Sequence, residues 1–331
     1  MAPLISYVIP AHNGEKYLTA CINSILAQPD HDFEILIAEN GSTDKTAAMC
    51  RALCLENERI RFLQTPTGVS RARNEGLCQA HGEWVCFVDQ DDLLLPNAFS
   101  VFEEGIQKYP KSDLLCARGD GYGCAQSSWR YYAGEETTAL TANFLVRPTR
   151  TLAAWGKLYR RAFLYRNKLL FDSELTHAED SDFVLRALLA ADGVGVTETA
   201  VYHYTVNPDS AVHRKNGDLA QKYLPSLQAT RQHFQSAPAV LRRVFPLYVL
   251  DHLLIILVHD TCLRDRAPVL QQLRETRKLL REPVFAQALK EAPLREAGAV
   301  KALLFGAARC GFVLPLFLAA RLRGRRSRAS V

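Results

Sequence analysis

The chain has 331 residues, of which 48% are apolar and 23% charged, a composition that excludes collagen-like, disulfide-scaffold and wholly disordered proteins. Its net charge of +5 comes from 40 Lys and Arg against 35 Asp and Glu. Five Arg and no acidic residue lie in residues 321–331, so residues 1–320 are neutral overall. The basic charge therefore belongs to a tail, and the body lacks the charge excess of a nucleic-acid-binding protein.

Strand and helix patterns alternate through the N-terminal part of the chain. The strands are short runs of apolar and β-branched residues, and the helices have apolar residues spaced by three and four. Such alternation with short connections predicts βαβ units and a mostly parallel central sheet flanked by helices, an α/β fold. The predicted strands are 4–9, 33–38, 60–63 and 84–88, and the predicted helices are 15–27, 43–56 and 70–80.

The pattern changes further along the chain. Residues 111–150 are rich in Gly, Ser and Thr and are predicted to be irregular, with a role as a substrate loop. Residues 177–191 predict a helix and 194–204 predict strands. From about residue 218 only long helical patterns remain. We therefore predict an α/β domain over 1–215 and a helical region over 216–331.

Polar clusters follow three of the predicted strands directly. They are HNGE at 12–15, ENGSTD at 39–44 and DQDD at 89–92. Ligands of parallel sheets bind beyond the carboxyl ends of the strands, so these clusters are expected to converge along one edge.

Two interpretations exist for each acidic or polar cluster. Three carboxylates within 89–92 repel one another unless they are solvated or neutralised, and Mg²⁺ or Mn²⁺ would neutralise them; acidic capping of the next helix is the alternative. The turn at 39–44 suits either a nucleotide or the start of a helix. The acidic pair Glu179-Asp180 is either a favourable pair at a helix N-terminus or a carboxylate held as a general base.

Taken in order, these segments resemble family 2 glycosyltransferases with the GT-A fold, a Rossmann-like α/β architecture. The resemblance covers about residues 4–215 and does not extend into the C-terminal region. The segments that carry it are ISYVIPAHNGEKYL, FEILIAENGSTDKT, GVSRARNEGLCQAHGEWVCFVDQDDLLLP, WGKLYRRAFL, EDSDF and YHYTVNPDSAVHRK.

The resemblance implies a nucleotide site built mainly from the first two polar turns. Asn40 stands where many members have an aspartate that binds the base, and this departure leaves the identity of the base open, although an Asn amide can meet a uracil. The residues implied to bind the nucleotide are Pro10, His12, Asn13, Glu15, Asn40, Arg73 and Asp89.

The resemblance also implies the catalytic and metal-binding residues. Asp180 matches the family's catalytic base, with Glu179 as its orienting neighbour, which implies an inverting transfer. The D-x-D element supplies the ligands of Mn²⁺ or Mg²⁺, with Asp91 and Asp89 as the main candidates and His213 as a further one. Asp92, Trp155 and Lys157 are expected to face the sugar or the acceptor.

The C-terminal region suggests a membrane contact. The apolar stretch 302–320 is followed by Arg-rich residues, an arrangement typical of a segment lying in an anionic leaflet, whereas 244–258 is expected to pack on the body or on a partner in a homodimer. The nine cysteines are odd in number and form no C-x-x-C pair, and the first residues resemble no signal peptide, so a cytoplasmic chain associated peripherally with the inner face of the membrane is expected.

The predicted function is therefore an inverting, metal-dependent transfer of a hexosyl or N-acetylhexosaminyl group from a nucleotide-sugar, UDP-linked by preference, to a lipid-linked or surface glycan. Such glycans include capsule, O-antigen and lipopolysaccharide. A sugar nucleotidyltransferase is a second hypothesis, although its Gly-rich, basic phosphate loop is missing from HNGEKYL. A homologue that binds a sugar nucleotide or a glycan without turnover is a third.

Overall fold

The structure, a computed structural model, describes residues 4–29, 32–119, 128–205, 207, 219–261 and 268–329. One nine-stranded sheet lies within the described residues, with the order β3-β2-β1-β4-β8-β6-β9-β5 and with β7 paired to β9. The strands are β1 Ile5–Ala11, β2 Phe33–Glu39, β3 Ile60–Gln64, β4 Trp84–Phe87, β5 Leu93–Leu94, β6 Leu114–Gly119, β7 Trp129–Ala133, β8 Lys157–Arg160 and β9 Gly193–His203.

Helices make up most of the rest of the described chain. A π-helical turn, Leu257–Thr261, follows the tenth helix, and a 3₁₀ turn, Leu294–Ala297, precedes the thirteenth. The α-helices are α1 Leu18–Leu26, α2 Thr46–Glu56, α3 Val69–Gln79, α4 Ala98–Lys108, α5 Glu135–Val146, α6 Pro148–Thr151, α7 Arg161–Arg166, α8 Glu179–Ala190, α9 Leu219–His233, α10 Ala239–Ile256, α11 Val269–Arg281, α12 Pro283–Glu291, α13 Ala299–Arg309 and α14 Leu314–Ala329.

The predicted α/β fold with a largely parallel central sheet is confirmed. Strands β3, β2, β1 and β4 are parallel neighbours, and antiparallel pairs formed by β8 with β4 and β6 extend the sheet beyond them. All residues of β1 and β2 are buried, as expected for strands covered on both faces. Helix α3 lies so close to β1 that a Cβ on Gly76 would come within 2.3 Å of Val8, which explains why glycine stands there.

The expectation of an irregular segment at 111–150 is wrong for the described part of that range. Strands β6 and β7 and helices α5 and α6 occupy most of it, and residues 120–127 lie outside the described residues. The sequence signal was weak because β7 has only five residues and is polar on one face. Its strand conformation is stabilised by antiparallel pairing with β9, which is distant in the sequence.

The described chain divides into two compact units. The first contains Met1–Thr137, Ala153–Glu174 and Glu179–Thr205, and the second contains Thr138–Leu152, Leu175–Ala178 and Val206–Val331. The boundary predicted near 215 falls among residues 208–218, outside the described residues, and stays a prediction. Among the helices that the structure describes, none combines the length and apolar character needed to cross a bilayer.

Candidate active site

The turns that follow β1 and β2 bind each other through side-chain to backbone hydrogen bonds. Asn13 accepts from the Thr43 N–H at 2.8 Å, and its own N–H donates to the Ser42 hydroxyl at 3.0 Å. The Gly14 N–H donates to the Thr46 hydroxyl at 2.8 Å. These bonds fix the strand-to-helix turns at the carboxyl ends of the two strands, where a nucleotide is expected to bind.

Three further residues predicted for the nucleotide occupy different positions around these turns. The His12 ring contacts the Asn40 carbonyl at 3.1 Å, and its backbone N–H donates to Gln90 Oε1 at 2.9 Å. The Glu15 N–H donates to Asp44 at 3.2 Å. Pro10 is buried near the end of β1, in register with Ala38 of β2, so it lies in the sheet just before the turn at 12–15.

Asn40 joins three segments of the nucleotide region. Its Nδ2 donates to the Ala11 carbonyl at 2.9 Å, and its Oδ1 accepts from the Gly68 N–H at 3.2 Å. These two bonds use one N–H group and one acceptor lone pair of the amide, which is buried. Its contact with a base stays a prediction, and its structural contribution is to hold the turn after β2 against the start of α3.

The acidic turn after β4 is held by a tyrosine from β9. The Tyr202 hydroxyl accepts from the Asp89 N–H at 3.0 Å and donates to Asp92 Oδ2 at 2.7 Å. The other Asp92 oxygen accepts from the Thr205 N–H at 2.8 Å. One phenol therefore joins the backbone at the start of this turn to the carboxylate at its end.

Asp92 does not have the sugar-facing position predicted for it. Its side chain is 1% exposed and both its oxygens accept hydrogen bonds from the protein. The pKa of Asp92 is raised to about 8, chiefly by burial and also by the negative charges of Asp89 and Asp91. Asp92 thus stabilises the turn, whereas the side chains of Asp89 and Asp91 are only half-buried.

Arg73 lies at the centre of the site. Its guanidinium donates to Asp89 Oδ1 at 2.8 Å, to Asp180 Oδ1 at 2.5 Å and to Glu179 Oε1 at 3.2 Å. It also packs over the ring of Phe171, with its Cζ 5.1 Å from the ring centroid. The Arg73 side chain is only 4% exposed, so the structure makes it an ion-pair centre where the sequence predicted a nucleotide contact.

Asp180, at the start of α8, retains 21% exposure while both its oxygens are held. Oδ1 accepts from Arg73, and Oδ2 accepts from the Ala154 N–H at 3.2 Å. The pKa of Asp180 is raised to about 7, with burial as the largest cause; Arg73 acts in the lowering direction, and the charges of Glu179 and Asp89 act in the raising direction. A carboxylate with this pKa, fixed orientation and partial exposure has the properties of a general base.

The turn before β8 contributes a backbone donor to Asp180, and Lys157 organises that turn. The Lys157 ammonium is buried and donates to the Ala153 carbonyl at 2.6 Å and the Trp155 carbonyl at 3.5 Å. Its burial lowers the pKa of the ammonium group. The predicted sugar or acceptor contact does not fit this position, because the Lys157 ammonium binds backbone carbonyls of the turn. Its bond to the Ala153 carbonyl fixes the peptide group whose Ala154 N–H donates to Asp180.

Trp155 is half-buried and stacks on Tyr202, with ring centroids 4.6 Å apart and an interplanar angle of 3°. A Cβ on Gly119 would lie 2.1 Å from the indole, so this strand end is open enough for the ring only because residue 119 is glycine. Trp155 therefore links the turn before β8 to the tyrosine that holds the acidic turn. Its contact with the sugar stays a prediction.

The residues of the acidic turn fit part of a metal site. Within the described ranges no group of three or more His, Cys, Asp or Glu side chains is arranged to hold a metal ion alone. Mg²⁺ and Mn²⁺ typically take one or two carboxylates together with substrate phosphates, and Asp89 and Asp91 supply that number. The third predicted ligand, His213, lies outside the described residues.

Sequence reasoning missed Tyr202 and Gln90. Gln90 donates from Nε2 to the His12 carbonyl at 2.8 Å and accepts from the His12 N–H, so it ties the acidic turn to the turn after β1. A polar residue inside an acidic turn was a usable signal for Gln90. Tyr202 had none, because it stands within an apolar strand and its partners are more than a hundred residues away.

We predict that Tyr202→Phe destabilises the folded chain by about 1–3 kcal/mol, because a buried acceptor on Asp92 and a buried donor at Asp89 both lose their partner. Urea denaturation followed by fluorescence measures this change. The control is Tyr165→Phe, which removes a half-exposed hydroxyl that donates to the Leu77 and Cys78 carbonyls. Equal stability of the two variants would contradict the role assigned to Tyr202.

Comparison with known proteins gives a consistent result. Residues 6–167 match the family model described as glycosyl transferase family 2. The chain is 28% identical over 313 residues to the uncharacterized glycosyltransferase EpsJ of Bacillus subtilis (strain 168), covering 89% of this chain and 88% of that protein.

A second relative is the poly(ribitol-phosphate) beta-N-acetylglucosaminyltransferase TarS of Staphylococcus aureus (strain Mu50 / ATCC 700699). It is 32% identical over 205 residues, covering 60% of this chain but only 35% of TarS. The crystal structure of S. aureus TarS 1–349 in complex with UDP-GlcNAc has a TM-score of 0.65 and 23% identity, and the match covers 98% of this chain and 92% of that one. At that identity the likeness establishes the fold.

Proposed function

Because this chain belongs to glycosyl transferase family 2 and is a glycosyltransferase that acts on nucleotide-sugar donors, we propose that it transfers a hexosyl or N-acetylhexosaminyl group with inversion. The donor we propose is UDP-linked, and the acceptor is a hydroxyl of a lipid-linked or surface glycan. The UDP-GlcNAc that the TarS structure contains supports the choice of donor class.

One observation carries the proposal: carboxylates from two distant parts of the chain meet on Arg73. Asp89 follows β4, Glu179 and Asp180 open α8, and all three bind the same guanidinium. Since β4 ends at the carboxyl edge of the parallel strands, this junction lies where ligands of such sheets bind. Asp89, the proposed metal ligand on the diphosphate side, and Asp180, the proposed base, are thereby neighbours.

The chain's residues then have the following tasks. The turns at 12–15 and 39–44 hold the nucleotide with backbone N–H groups and short polar side chains. Asp180 accepts the proton of the acceptor hydroxyl while that oxygen forms a bond to the anomeric carbon and the bond to the diphosphate breaks. Glu179 and Arg73 orient Asp180. Because one displacement occurs on the face opposite the leaving group, an α-linked donor gives a β-linked product.

Asp91 and Asp89 would hold Mg²⁺ or Mn²⁺, which when bound neutralises the charge that builds on the departing diphosphate. His213 is a candidate third ligand from the segment after β9. The half-buried position of Asp91, beside a carboxylate already paired with Arg73, supports this division of roles.

The proposed acceptor places the reaction at a membrane surface. A lipid-linked glycan such as a capsule, O-antigen or lipopolysaccharide precursor stays in the bilayer, so the enzyme would associate peripherally with the inner face of the cell membrane through residues 302–331. A second copy of the chain as a homodimer partner remains a prediction of the sequence.

We predict that purified protein hydrolyses one UDP-sugar of a panel slowly without acceptor, and that EDTA or Asp91→Ala removes about 90% or more of this activity, since a metal-held diphosphate leaves faster. Release of UDP measures it. Glu198→Gln, which changes an exposed carboxylate with an 84% exposed side chain, is the control and retains full activity.

Each outcome of this panel discriminates between hypotheses. Release of the nucleoside diphosphate supports transfer, whereas release of sugar phosphate and nucleoside monophosphate would indicate nucleotidyl chemistry. Binding of a sugar nucleotide without any turnover would indicate a homologue that binds and does not catalyse. Full turnover in excess EDTA would contradict the metal assignment alone.

A further inference from the structure

The exposed apolar side chains of this protein are concentrated in its last two helices. Half of the large apolar residues that are strongly exposed in the described chain fall within 300–322, with exposures from 46% for Leu318 to 74% for Leu303. Isolated exposed apolar residues are ordinary, but a concentration of them marks an interaction surface. The six residues, here called the apolar face, are Val300, Leu303, Phe312, Leu314, Leu318 and Leu322.

Helix α14 has two apolar sides, and only one of them is covered. Leu314, Leu318 and Leu322 are spaced by four and form one exposed stripe along the helix. Leu316, on the opposite side of the helix, is fully buried, and so is Phe317, which lies one turn from Leu314 at the edge of that stripe. Packing within the protein thus explains one side of α14 and leaves the other without a function in the described structure.

Helix α13 is held firmly, so the position of the apolar face is set by the fold. Arg309 donates from its guanidinium to the Leu289 and Ala292 carbonyls, each at 2.6 Å. Lys301 donates to both oxygens of Asp251 at 2.6 and 2.7 Å. The charged groups of Lys301 and Arg309 are therefore bound to partners within the protein. They are not placed among the exposed apolar side chains, where they would weaken an apolar contact.

Basic residues interrupt and follow the end of the apolar face in the sequence. Arg321 and Arg323 flank Leu322, and Arg325, Arg326 and Arg328 follow, with no acidic residue anywhere in 321–331. An apolar stripe bordered by Arg is the pattern of a helix that lies in the interface of an anionic membrane, where apolar side chains enter the acyl boundary and cations meet phosphate headgroups. A protein partner would have to be both apolar and strongly acidic to match it as well.

We propose that α13 and α14 form a hairpin that docks on an anionic lipid surface through the apolar face, lying on the bilayer without crossing it. This inference rests on the proposed function for its biological purpose, which is to bring the enzyme to a lipid-linked acceptor. It differs from the sequence prediction in its geometry: the contact begins at Val300, includes both helices and uses one side of each.

The test is sedimentation with phosphatidylcholine vesicles that contain about one-third phosphatidylglycerol. The variant Leu314→Ser/Leu318→Ser/Leu322→Ser is expected to lose about tenfold or more in vesicle affinity, since three apolar insertions are removed. The matched control is Leu55→Ser/Leu270→Ser, which removes two leucines that are 90% and 70% exposed elsewhere, and which should bind as wild type. Wild-type binding should weaken in high salt and with pure phosphatidylcholine.

Circular dichroism and UDP release in vesicle-free buffer check that the triple variant is folded and that its site is intact. Undiminished vesicle binding by the triple variant, or an equal loss in the control, would overturn the proposal. So would a wild-type chain that ignores vesicles but dimerises through this face or binds duplex DNA. Vesicle binding without any sugar-nucleotide turnover would instead contradict the proposed function and leave the docking surface standing.

Discussion

Replacing Asp180 with Asn is expected to lower kcat by about a hundredfold or more while the affinity for the donor changes little. Asn has the same size and its amide oxygen still accepts the hydrogen bond of Arg73, although its amide nitrogen cannot accept from the Ala154 N–H. What it loses is the ability to take a proton from the acceptor. Steady-state kinetics with a sugar acceptor, together with calorimetric binding of UDP, measure the two quantities separately.

The pH profile gives Asp180 a second signature. Its raised pKa of about 7 means that the carboxylate is protonated, and inactive as a base, below that pH. Turnover should therefore rise as pH increases toward 7 and level off above it, and the Asp180→Asn variant should lack this limb. Near-normal turnover by the variant, with the limb retained, would remove Asp180 from the catalytic role.

Replacing Arg73 with Met is expected to destabilise the protein by about 3–5 kcal/mol and to abolish turnover, because three partly buried carboxylates would lose their common cation. Arg73→Lys keeps the charge but offers a single ammonium in place of a planar fork, so it should recover stability in part and turnover hardly at all. Chemical denaturation and UDP release measure these effects.

The control for Arg73 is Arg118→Met, which breaks an exposed pair with Glu198 at 3.8 Å. A surface pair of this kind contributes about 0–1 kcal/mol, so the variant should unfold near the wild-type midpoint. If Arg73→Met unfolds at the same denaturant concentration as this control, the guanidinium does not hold the site together. Should it fail to fold at all, Arg73→Lys still reports on the junction.

The sequence predicted the elements whose signals are local. Strands β1 and β2 are continuous apolar runs, and the polar turns that follow them stand where strands end, so their convergence at one edge followed from topology. The proximity of Asp180 to the acidic turn, which the shared ion pair with Arg73 produces, was expected only through the family resemblance. Nothing in the spacing of Glu179 and Asp180 alone separated a base from a favourable helix start.

What the sequence left out depends on distant pairings. The family resemblance implied a nucleotide contact for Arg73, and the residues around it in the sequence gave no sign of the carboxylates that reach it from residues 179 and 180. The family resemblance placed Lys157 and Asp92 near the sugar or the acceptor, yet both are buried and bonded to backbone or to Tyr202. Burial of a charged group is decided by tertiary packing, which a local pattern does not contain.

The most direct test of the central claim, that Asp180 supports a single inverting displacement on a nucleotide-sugar, is the configuration of the first product. Proton NMR can follow an α-linked UDP-sugar during hydrolysis or transfer and distinguish the two anomers before they equilibrate. We predict that the β-anomer forms first and that its rate falls by about a hundredfold in Asp180→Asn. An α-configured first product, or a β-product formed at an unchanged rate by that variant, would contradict this mechanism.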